Sequence, residues 1–152
     1  MSRGQRQQSA IDPERHFIIE PCGTCSIPGY LIVRPRRAYK SLSHMSPAAL
    51  TALGPTLAMA TQAIEAVVRP ERVYCVLFSE QTRSVHFHLF PRTAWLTAEY
   101  RAANPGSSSI SGPRLMDWAR HVFQRPIRGR DVGKVFSRIQ KITGCLITEP
   151  RP

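Results

Sequence analysis

Two histidines that lie two positions apart, His86 and His88, are the residues whose type and spacing could do chemistry in this 152-residue chain. They belong to the segment 84–90, SVHFHLF, in which apolar side chains alternate with the imidazoles. Alternate side chains of a β-strand point to the same face, so both rings would project together from one side. The opposite, apolar face is predicted to pack on a helix and comprises Val85, Phe87 and Leu89.

The chemistry that such a pair favours is attack on phosphorus. A neutral imidazole is nucleophilic near physiological pH, and a covalent histidine intermediate divides a hydrolysis into two easier displacements. The second imidazole can donate a proton to the leaving group or orient the first. Two ordinary half-buried histidines, or two ligands of a metal ion, are the alternatives that the motif leaves open.

The segments around this motif predict two strands, a helix and two further strands. The strands are expected at 16–20, 30–33, 72–78 and 85–90, and Pro91 is expected to end the pairing of the last one. A type II turn is expected at Pro28-Gly29, because glycine accepts a positive φ at its third position. This order favours an α+β domain whose sheet is mostly antiparallel.

A long helix is predicted between the second and third strands. Ser46-Pro47 fits its start, with a serine cap and a proline in the first turn, and Arg69-Pro70 fits its end. Gly54-Pro55 predicts a kink, or a start delayed to near Thr56. The stripe expected to face the core consists of Leu50, Leu53, Leu57, Ala60, Ile64 and Val67.

The C-terminal third is predicted to be a loop at 103–113 and two helices at 115–124 and 131–142. In the second helix Asp131 is a candidate cap. These helices would either cover the site or extend the core. The apolar stripe of the second helix would consist of Val132, Val135, Phe136 and Ile139.

Length and composition predict one domain. Residues 1–12 are expected to be a flexible basic tail and 13–152 a single domain, with a helical extension from about 111. Hydrophobic residues make up 42% of the chain, yet no apolar run reaches the length of a membrane span. The opening segment MSRGQRQQSA has no apolar stretch of the kind found in signal peptides, so a cytoplasmic location is expected.

The formal net charge of +11 indicates anionic partners. The charge is spread along the chain, with one tight group at Arg34, Arg36, Arg37 and Lys40. A solvated basic surface is an equally good interpretation, and charge alone does not choose between a nucleotide, RNA and a phospholipid.

Four cysteines occur, at positions 22, 25, 75 and 145. Cys75 lies in an apolar run and is predicted to be buried. Cys22 and Cys25 have the C-x-x-C spacing of zinc and redox sites, although a plain turn explains them as well. A zinc site that combines these two thiols with His86 and His88 is one further hypothesis.

The segment HFHLFPR resembles the end of the signature H-φ-H-φ-H-φ-φ of the histidine triad superfamily, in which φ is apolar. Upstream, IPGYLIVRPRRAYKSLSHMSPAAL is similar to that family's Pro-Gly turn, strand, basic pair and Ser-Pro helix start. The likeness covers roughly residues 20 to 95. It implies a fold in which one long helix packs on a mostly antiparallel sheet.

The resemblance also implies a function. Members of this type are nucleotidyl hydrolases or transferases that act on dinucleoside polyphosphates or nucleoside phosphoramidates, through a nucleotidyl-histidine intermediate. By position, the nucleophile falls on His86 and the assisting histidine on His88. The resemblance implies a nucleotide substrate, no obligatory metal or other cofactor, and a homodimer joined through the sheet and helix region.

Four residues are candidates for substrate binding. Ser84 takes the place of the first histidine of the triad, and Gln81-Thr82 resembles the Gln-Ser/Thr pair that touches phosphate. Arg92 is either a phosphate ligand or a surface residue, and Arg83 is a further candidate cation near the phosphate.

Other positions depart from the family's pattern. A further histidine of the family falls on Ala38, and the acid that often holds the ribose hydroxyls falls on Cys22, so Glu20 or Thr24 would have to replace it. The glycines usual before the Gln-Thr pair are absent. These departures leave open an alternative function, a catalytically weak nucleotide- or RNA-binding module.

Overall fold

The computed structural model describes residue 12 and residues 15–106, 109–124 and 132–144. Four strands lie in these ranges: β1 Phe17–Pro21, β2 Leu31–Pro35, β3 Arg72–Val76 and β4 Phe87–Arg92. The helices are α1 Pro47–Val68, α2 Ala94–Ala103, α3 Gly112–Val122 and α4 Val132–Thr143, and a 3-10 turn spans Leu42–His44. Asp12, at the end of the predicted tail, is buried and accepts hydrogen bonds from the backbone N–H groups of His16 and Phe17 at 2.8 and 2.9 Å. The rest of the predicted tail, residues 1–11, lies outside the described residues.

The four strands form one antiparallel sheet in the order β1-β2-β4-β3. The α+β class with a mostly antiparallel sheet is therefore confirmed. β4 lies in the interior of the sheet, where His88 stands opposite Ile32 of β2 and Val76 of β3. The strand that carries the histidine motif is thus held on both sides.

The turn at Pro28-Gly29 places β2 as predicted. The N–H of Tyr30 donates to the carbonyl of Ile27 at 3.1 Å, and Gly29 has φ +82°, the value that a type II turn requires at its third position. A Cβ at Gly29 would meet Cγ2 of Val68 at 2.5 Å. Glycine is therefore needed here both for its backbone conformation and for space.

The long helix α1 begins and ends where the sequence predicts. The N–H of Ala49 donates to Oγ of Ser46 at 3.3 Å, and Arg69 closes the helix in the left-handed conformation. The helix runs through Pro55 without interruption, so the predicted delayed start is wrong. Pro55 lies on the exposed side, and packing of the opposite side on the sheet outweighs the roughly 3 kcal/mol that an internal proline costs.

The buried face of α1 differs from the predicted stripe. Leu50 is 44% exposed, and Leu53, Leu57 and Val67 are only partly buried. Small residues occupy most of the contact line because they allow a close approach to the sheet. The buried positions are Ala49, Ala52, Thr56, Met59, Ala60, Ala63 and Ile64.

Each face of the sheet has its own core. Val85, Phe87 and Leu89 lie in the core on the α1 side, as predicted. Phe90, on the other face, packs with side chains of α2 and α3. The largest fully buried members of this second core are Tyr30, Ile27, Phe90, Leu96 and Leu115.

The end of β4 differs from the prediction. Pro91 pairs with Val73, and the strand continues to Arg92. Pairing with β2 stops at Leu89, so Pro91 lies where β4 has a neighbour on one side only, a position at which a strand tolerates proline. The helix α2, which follows directly, was not predicted. It begins at a threonine cap, since the N–H of Leu96 donates to Oγ1 of Thr93 at 3.4 Å.

The two C-terminal helices have different roles. The first, α3, starts three residues earlier than predicted and packs on the second core. The second, α4, packs on α1 through Ile139, Val135 and Phe136, as its stripe predicted. The candidate cap Asp131 lies outside the described residues. One helix therefore lies on the histidine side of the sheet, and the other extends the α1 core.

β3 is an edge strand, and this explains why the burial predicted for Cys75 is wrong. Cys75 is exposed, and among the described strands only β4 flanks β3. Within the described ranges, no helix is both long and apolar enough to cross a bilayer.

Candidate active site

His86 lies at the entrance to β4, and a backbone contact determines which of its ring nitrogens carries the proton. Its Nδ1 is 2.8 Å from the carbonyl oxygen of Ser84. A carbonyl only accepts, so Nδ1 is the donor and the neutral ring has its lone pair on Nε2. The hydroxyl of Ser79 donates to the same carbonyl at 3.3 Å, which holds this acceptor in place.

His88 lies deeper, and its ring contacts that of His86. The two ring centroids are 4.9 Å apart with an interplanar angle of 65°. His88 is 7% exposed, and its Nδ1 lies 2.8 Å from the hydroxyl oxygen of Tyr30, a residue that is 1% exposed. The phenol can donate or accept, so both neutral tautomers of His88 satisfy this bond.

The surroundings keep His88 neutral. Burial above all, and then repulsion from His86 and Arg120, lower the pKa of His88 from 6.5 to about 4. Burial also raises the pKa of Tyr30, so the phenol keeps its proton. Near neutral pH the site therefore holds an uncharged imidazole that can give or take one proton next to His86.

A cavity of about 370 Å³, the first cavity, opens beside the two rings. Gln81 and Thr82, predicted to contact phosphate, line it together with His86 and His88. Arg83 does not line it. Apolar side chains from three separate segments, Ile32, Phe78 and Met116, form further parts of its wall.

A second cavity of about 650 Å³ lies along the other side of His86. Ser84, which was also predicted to bind substrate, lines this second cavity rather than the first. Glu20, a candidate for the ribose acid, also lies here, and its carboxylate is held by Nε of Arg34 at 2.7 Å.

Arg92 is not brought to the histidines. It lies at the far end of β4, roughly 20 Å from His86 at ~3.3 Å per residue. There its Nη2 is 3.4 Å from a carboxylate oxygen of Glu71, which also accepts a hydrogen bond from the hydroxyl of Thr97. The proposed phosphate contact is therefore replaced by an ion pair.

Cys22 lines the first cavity at the position where the resemblance expects an acidic residue. Hydrogen bonding with Cys25, aided by Thr24, lowers the pKa of Cys22 from 9.0 to about 6 against the opposing effect of burial. The same bond raises the pKa of Cys25. The lowered pKa favours loss of the proton from Cys22, at the position where the resemblance expects an acidic residue.

The cysteines and histidines do not combine into a metal site. In the ranges that the structure describes, no group of three or more His, Cys, Asp or Glu side chains is arranged to hold a metal ion. The zinc hypothesis for Cys22, Cys25, His86 and His88 is therefore wrong.

Several residues of the site come from segments that sequence reasoning did not connect with it. Tyr30 directly precedes β2, and Asp117 and Arg120 reach the first cavity from α3. The Cys25 thiol donates to the carbonyl of Arg120 at 3.8 Å, so the loop before β2 ties α3 to the site. The sequence predicted a helix at 115–124 but gave no indication of the surface against which it packs.

Comparison with known proteins identifies the fold. No protein-family model matches the sequence, and no curated protein matches it either. A histidine triad protein from Sinorhizobium meliloti 1021 superposes with a TM-score of 0.50 at 17% identity, over 85% of this chain and 91% of that one. A Hit-like protein from Bartonella henselae, described as involved in cell-cycle regulation, has a TM-score of 0.43 at 14% identity, over 91% and 93% of the two chains. By the first of these superpositions, the chain has the histidine triad fold, as the motif around His86 predicted.

Proposed function

We propose that this protein is a nucleotidyl hydrolase or transferase of the histidine triad type, acting on nucleoside phosphate derivatives. The observation that carries the proposal is the contact of His86 with the carbonyl of Ser84 at 2.8 Å. It fixes the proton on Nδ1 and leaves the lone pair on Nε2, which a nucleophile requires.

The proposed reaction has two displacements. Nε2 of His86 attacks the α-phosphorus, an N–P bond forms, and the bond from phosphorus to the leaving group breaks. His88 lies next to the ring and is uncharged, so it can relay a proton from water to a leaving group that needs one, accepting at one ring nitrogen and releasing from the other. Water then attacks the nucleotidyl-histidine, the N–P bond breaks, and a nucleoside monophosphate leaves; an acceptor other than water would make the enzyme a transferase.

The first cavity suits the nucleoside part of the substrate. Ile32, Phe78 and Met116 offer an apolar surface for a base, and Phe78 is 50% exposed without ligand. In the sequence, Gln81 and Thr82 lie between Phe78 and His86, and both line the same cavity. They are therefore proposed to hold the phosphate. The resemblance implies that no metal or other cofactor takes part.

Cys22 is proposed to accept hydrogen bonds from the ribose hydroxyls. Its lowered pKa favours the thiolate, and it borders the cavity, as a carboxylate at that position would. Thr24 lies within 3.4 Å of its sulfur and is the second candidate. We do not assign this role to Glu20, whose carboxylate is paired with Arg34 and lines the second cavity rather than the first.

We also propose that the protein forms a homodimer through the edge of the sheet and α1. β3 has a neighbour on one side only, and Leu50 on α1 is 44% exposed. Light scattering should therefore give twice the mass of one chain. The mass of a single chain at all concentrations would contradict this assembly.

The test of the catalytic proposal compares the wild type with His86→Ala in turnover of adenosine phosphoramidate. We expect His86→Ala to lose turnover and to keep its fold, because His86 is only partly buried. The matched control is His44→Ala, since His44 is exposed and contacts Ser41 instead. Equal turnover by the wild type and His86→Ala would remove His86 from its role. Tight nucleotide or RNA binding with no turnover in the wild type would select the binding module instead.

A further inference from the structure

Cys22 and Cys25 form a pair of thiols beside the two histidines, and the proposed function uses only one of them. Both sulfurs contact the same hydroxyl, since Oγ1 of Thr24 lies 3.4 Å from Sγ of Cys22 and 3.6 Å from Sγ of Cys25. The two cysteine side chains also hydrogen-bond to each other. A disulfide holds its sulfurs at about 2.0 Å, so a short movement within the loop 22–25 would bring them to bonding distance.

Cys22 can be reached from the first cavity although little of it is exposed. Its exposed fraction is 5%, but it lines this cavity together with His86 and His88. The cavity volume of about 370 Å³ is many times the roughly 30 Å³ of a water molecule, and a peroxide is only slightly larger than water. Cys25 is 2% exposed and does not line the first cavity. A peroxide in the cavity therefore meets Cys22 before Cys25.

The surroundings divide the pair into a reactive thiol and a resolving thiol. The lowered pKa of Cys22 favours the thiolate, which is the form that attacks a peroxide. The hydrogen bond with Cys22 is the largest cause that raises the pKa of Cys25, followed by burial. That largest cause ends once the Cys22 sulfur has been oxidised, so Cys25 then gives up its proton more easily.

Cys25 connects the pair to α3, which forms part of the cavity wall. Its thiol donates to the carbonyl of Arg120 at 3.8 Å, and Arg120 lines the first cavity. The N–H of Ser26 donates to the carbonyl of Phe123 at 2.8 Å, and Cys25 itself pairs with Gln124 in an isolated bridge. A disulfide would remove the proton that Cys25 donates to Arg120. Oxidation would therefore change the contact with α3 as well as the sulfur that borders the cavity.

We propose that Cys22 and Cys25 are a reversible oxidation site, at which a peroxide converts the two thiols to a disulfide that weakens nucleotide binding. The Cys22 thiolate attacks one peroxide oxygen, the O–O bond breaks, and Cys22 becomes a sulfenic acid while hydroxide leaves. The sulfur of Cys25 then attacks the Cys22 sulfur, the S–S bond forms, the S–O bond breaks, and water leaves with the thiol proton. In sum, the two thiols lose two electrons and one peroxide becomes two water molecules.

The effect on nucleotide binding rests on the proposed function, in which Cys22 accepts hydrogen bonds from the ribose hydroxyls. A sulfur in a disulfide carries no charge and is a weak acceptor. Loss of a hydrogen bond to a charged group weakens binding by roughly ten-fold or more. We therefore expect the oxidised protein to bind adenosine monophosphate more weakly than the reduced protein by at least that factor.

The first experiment locates the disulfide by mass spectrometry, after the full chain has been treated with hydrogen peroxide at neutral pH. No lysine or arginine lies between Cys22 and Cys25, so trypsin leaves both in one peptide. That peptide should lose two hydrogen atoms and regain them with dithiothreitol. In the matched variant Cys25→Ser, Cys22 should instead proceed to the sulfinic acid, which dithiothreitol does not reduce. Cys75→Ser removes an exposed thiol outside the pair and should behave as the wild type.

The second experiment measures binding of adenosine monophosphate by calorimetry. The affinity should fall on oxidation and return with dithiothreitol, in the wild type and in Cys75→Ser. Peroxide treatment that leaves both thiols of the peptide intact, or full recovery of oxidised Cys25→Ser by dithiothreitol, would overturn the oxidation site. Equal affinities of the reduced and oxidised proteins would overturn the effect on nucleotide binding. Absence of binding even to the reduced protein would contradict the proposed nucleotide site instead, and the mass of the peptide would still decide the oxidation site.

Discussion

Replacing Tyr30 by phenylalanine removes one hydroxyl from the centre of the site and little else. Tyr30 is 1% exposed, and its oxygen lies 2.8 Å from Nδ1 of His88. Phenylalanine keeps the ring, which meets the ring of Phe90 edge-on at a centroid distance of 5.2 Å. The variant therefore tests the hydrogen bond rather than the packing.

The cost follows from the burial of both partners. Without the hydroxyl, Nδ1 of His88 has no partner at a position that is 7% exposed. A buried polar atom left without a hydrogen bond costs about 1–3 kcal/mol, so the free energy of unfolding should fall by about that amount. Turnover should fall about ten-fold or more, because the ring of His88 loses the contact that orients it.

Two assays measure these effects. Urea unfolding at neutral pH gives the free energy of unfolding, and single-turnover kinetics with adenosine phosphoramidate gives the rate of the chemical step. Tyr100→Phe is the control, since Tyr100 is 5% exposed in the same core and its hydroxyl bonds to no described residue. If Tyr30→Phe matched Tyr100→Phe in both stability and rate, the role given to the Tyr30–His88 bond would be refuted.

Three further predictions follow from the same structure. The pKa of His88 is about 4 in the folded protein and ordinarily 6.5. Between these two pH values the unfolded chain therefore binds more protons than the folded protein. The free energy of unfolding should fall by up to about 3 kcal/mol as the pH drops from 6.5 to 4. Urea titrations across this range should show a weaker pH dependence for His88→Asn, which keeps a polar atom near the position of Nδ1; an unchanged dependence would contradict the assignment. Iodoacetamide should alkylate Cys22 at a rate that rises with pH through about 6, and bound nucleotide should slow it. Cys75 is exposed as a residue, but partial desolvation of its sulfur raises its pKa, so its alkylation should require more alkaline conditions. Mass spectrometry of the peptides separates the two sites. Gly29→Ala should lower the free energy of unfolding by more than about 1 kcal/mol, because the backbone at position 29 has a positive φ and the added Cβ would lie 2.5 Å from Cγ2 of Val68. A neutral effect in thermal unfolding would contradict the geometry of the turn.

Local patterns predicted the elements that carry the candidate nucleophile. Alternation around His86 placed the apolar residues of β4 on α1 and the imidazoles on the other face, because the period of a strand allows one outcome only. The Pro28-Gly29 turn and the Ser46 cap each depend on a few neighbouring residues, and both were predicted correctly.

What sequence reasoning missed depends on contacts between distant segments. The buried face of α1 is formed largely by alanines and not by the predicted leucines. The distance between the helix and the sheet, and not hydrophobicity alone, decides which side chains fit between them. Pro91 continues β4 because the pairing of β4 with β2 stops at Leu89, and no local sequence pattern contains that information. Tyr30 and Arg120 are 90 positions apart in the chain and acquire their roles only when β2 and α3 meet at the site.

The central claim is that Nε2 of His86 forms a bond to phosphorus. The most direct test is rapid quenching of the wild-type protein with adenosine phosphoramidate, at neutral to alkaline pH to preserve an N–P bond, followed by intact-mass and peptide mass spectrometry. The account predicts an added adenylyl group on the peptide that contains His86, present in the wild type and in His44→Ala and absent in His86→Ala. Substrate turnover with no such adduct at any quench time, or an adduct that persists in His86→Ala, would contradict it.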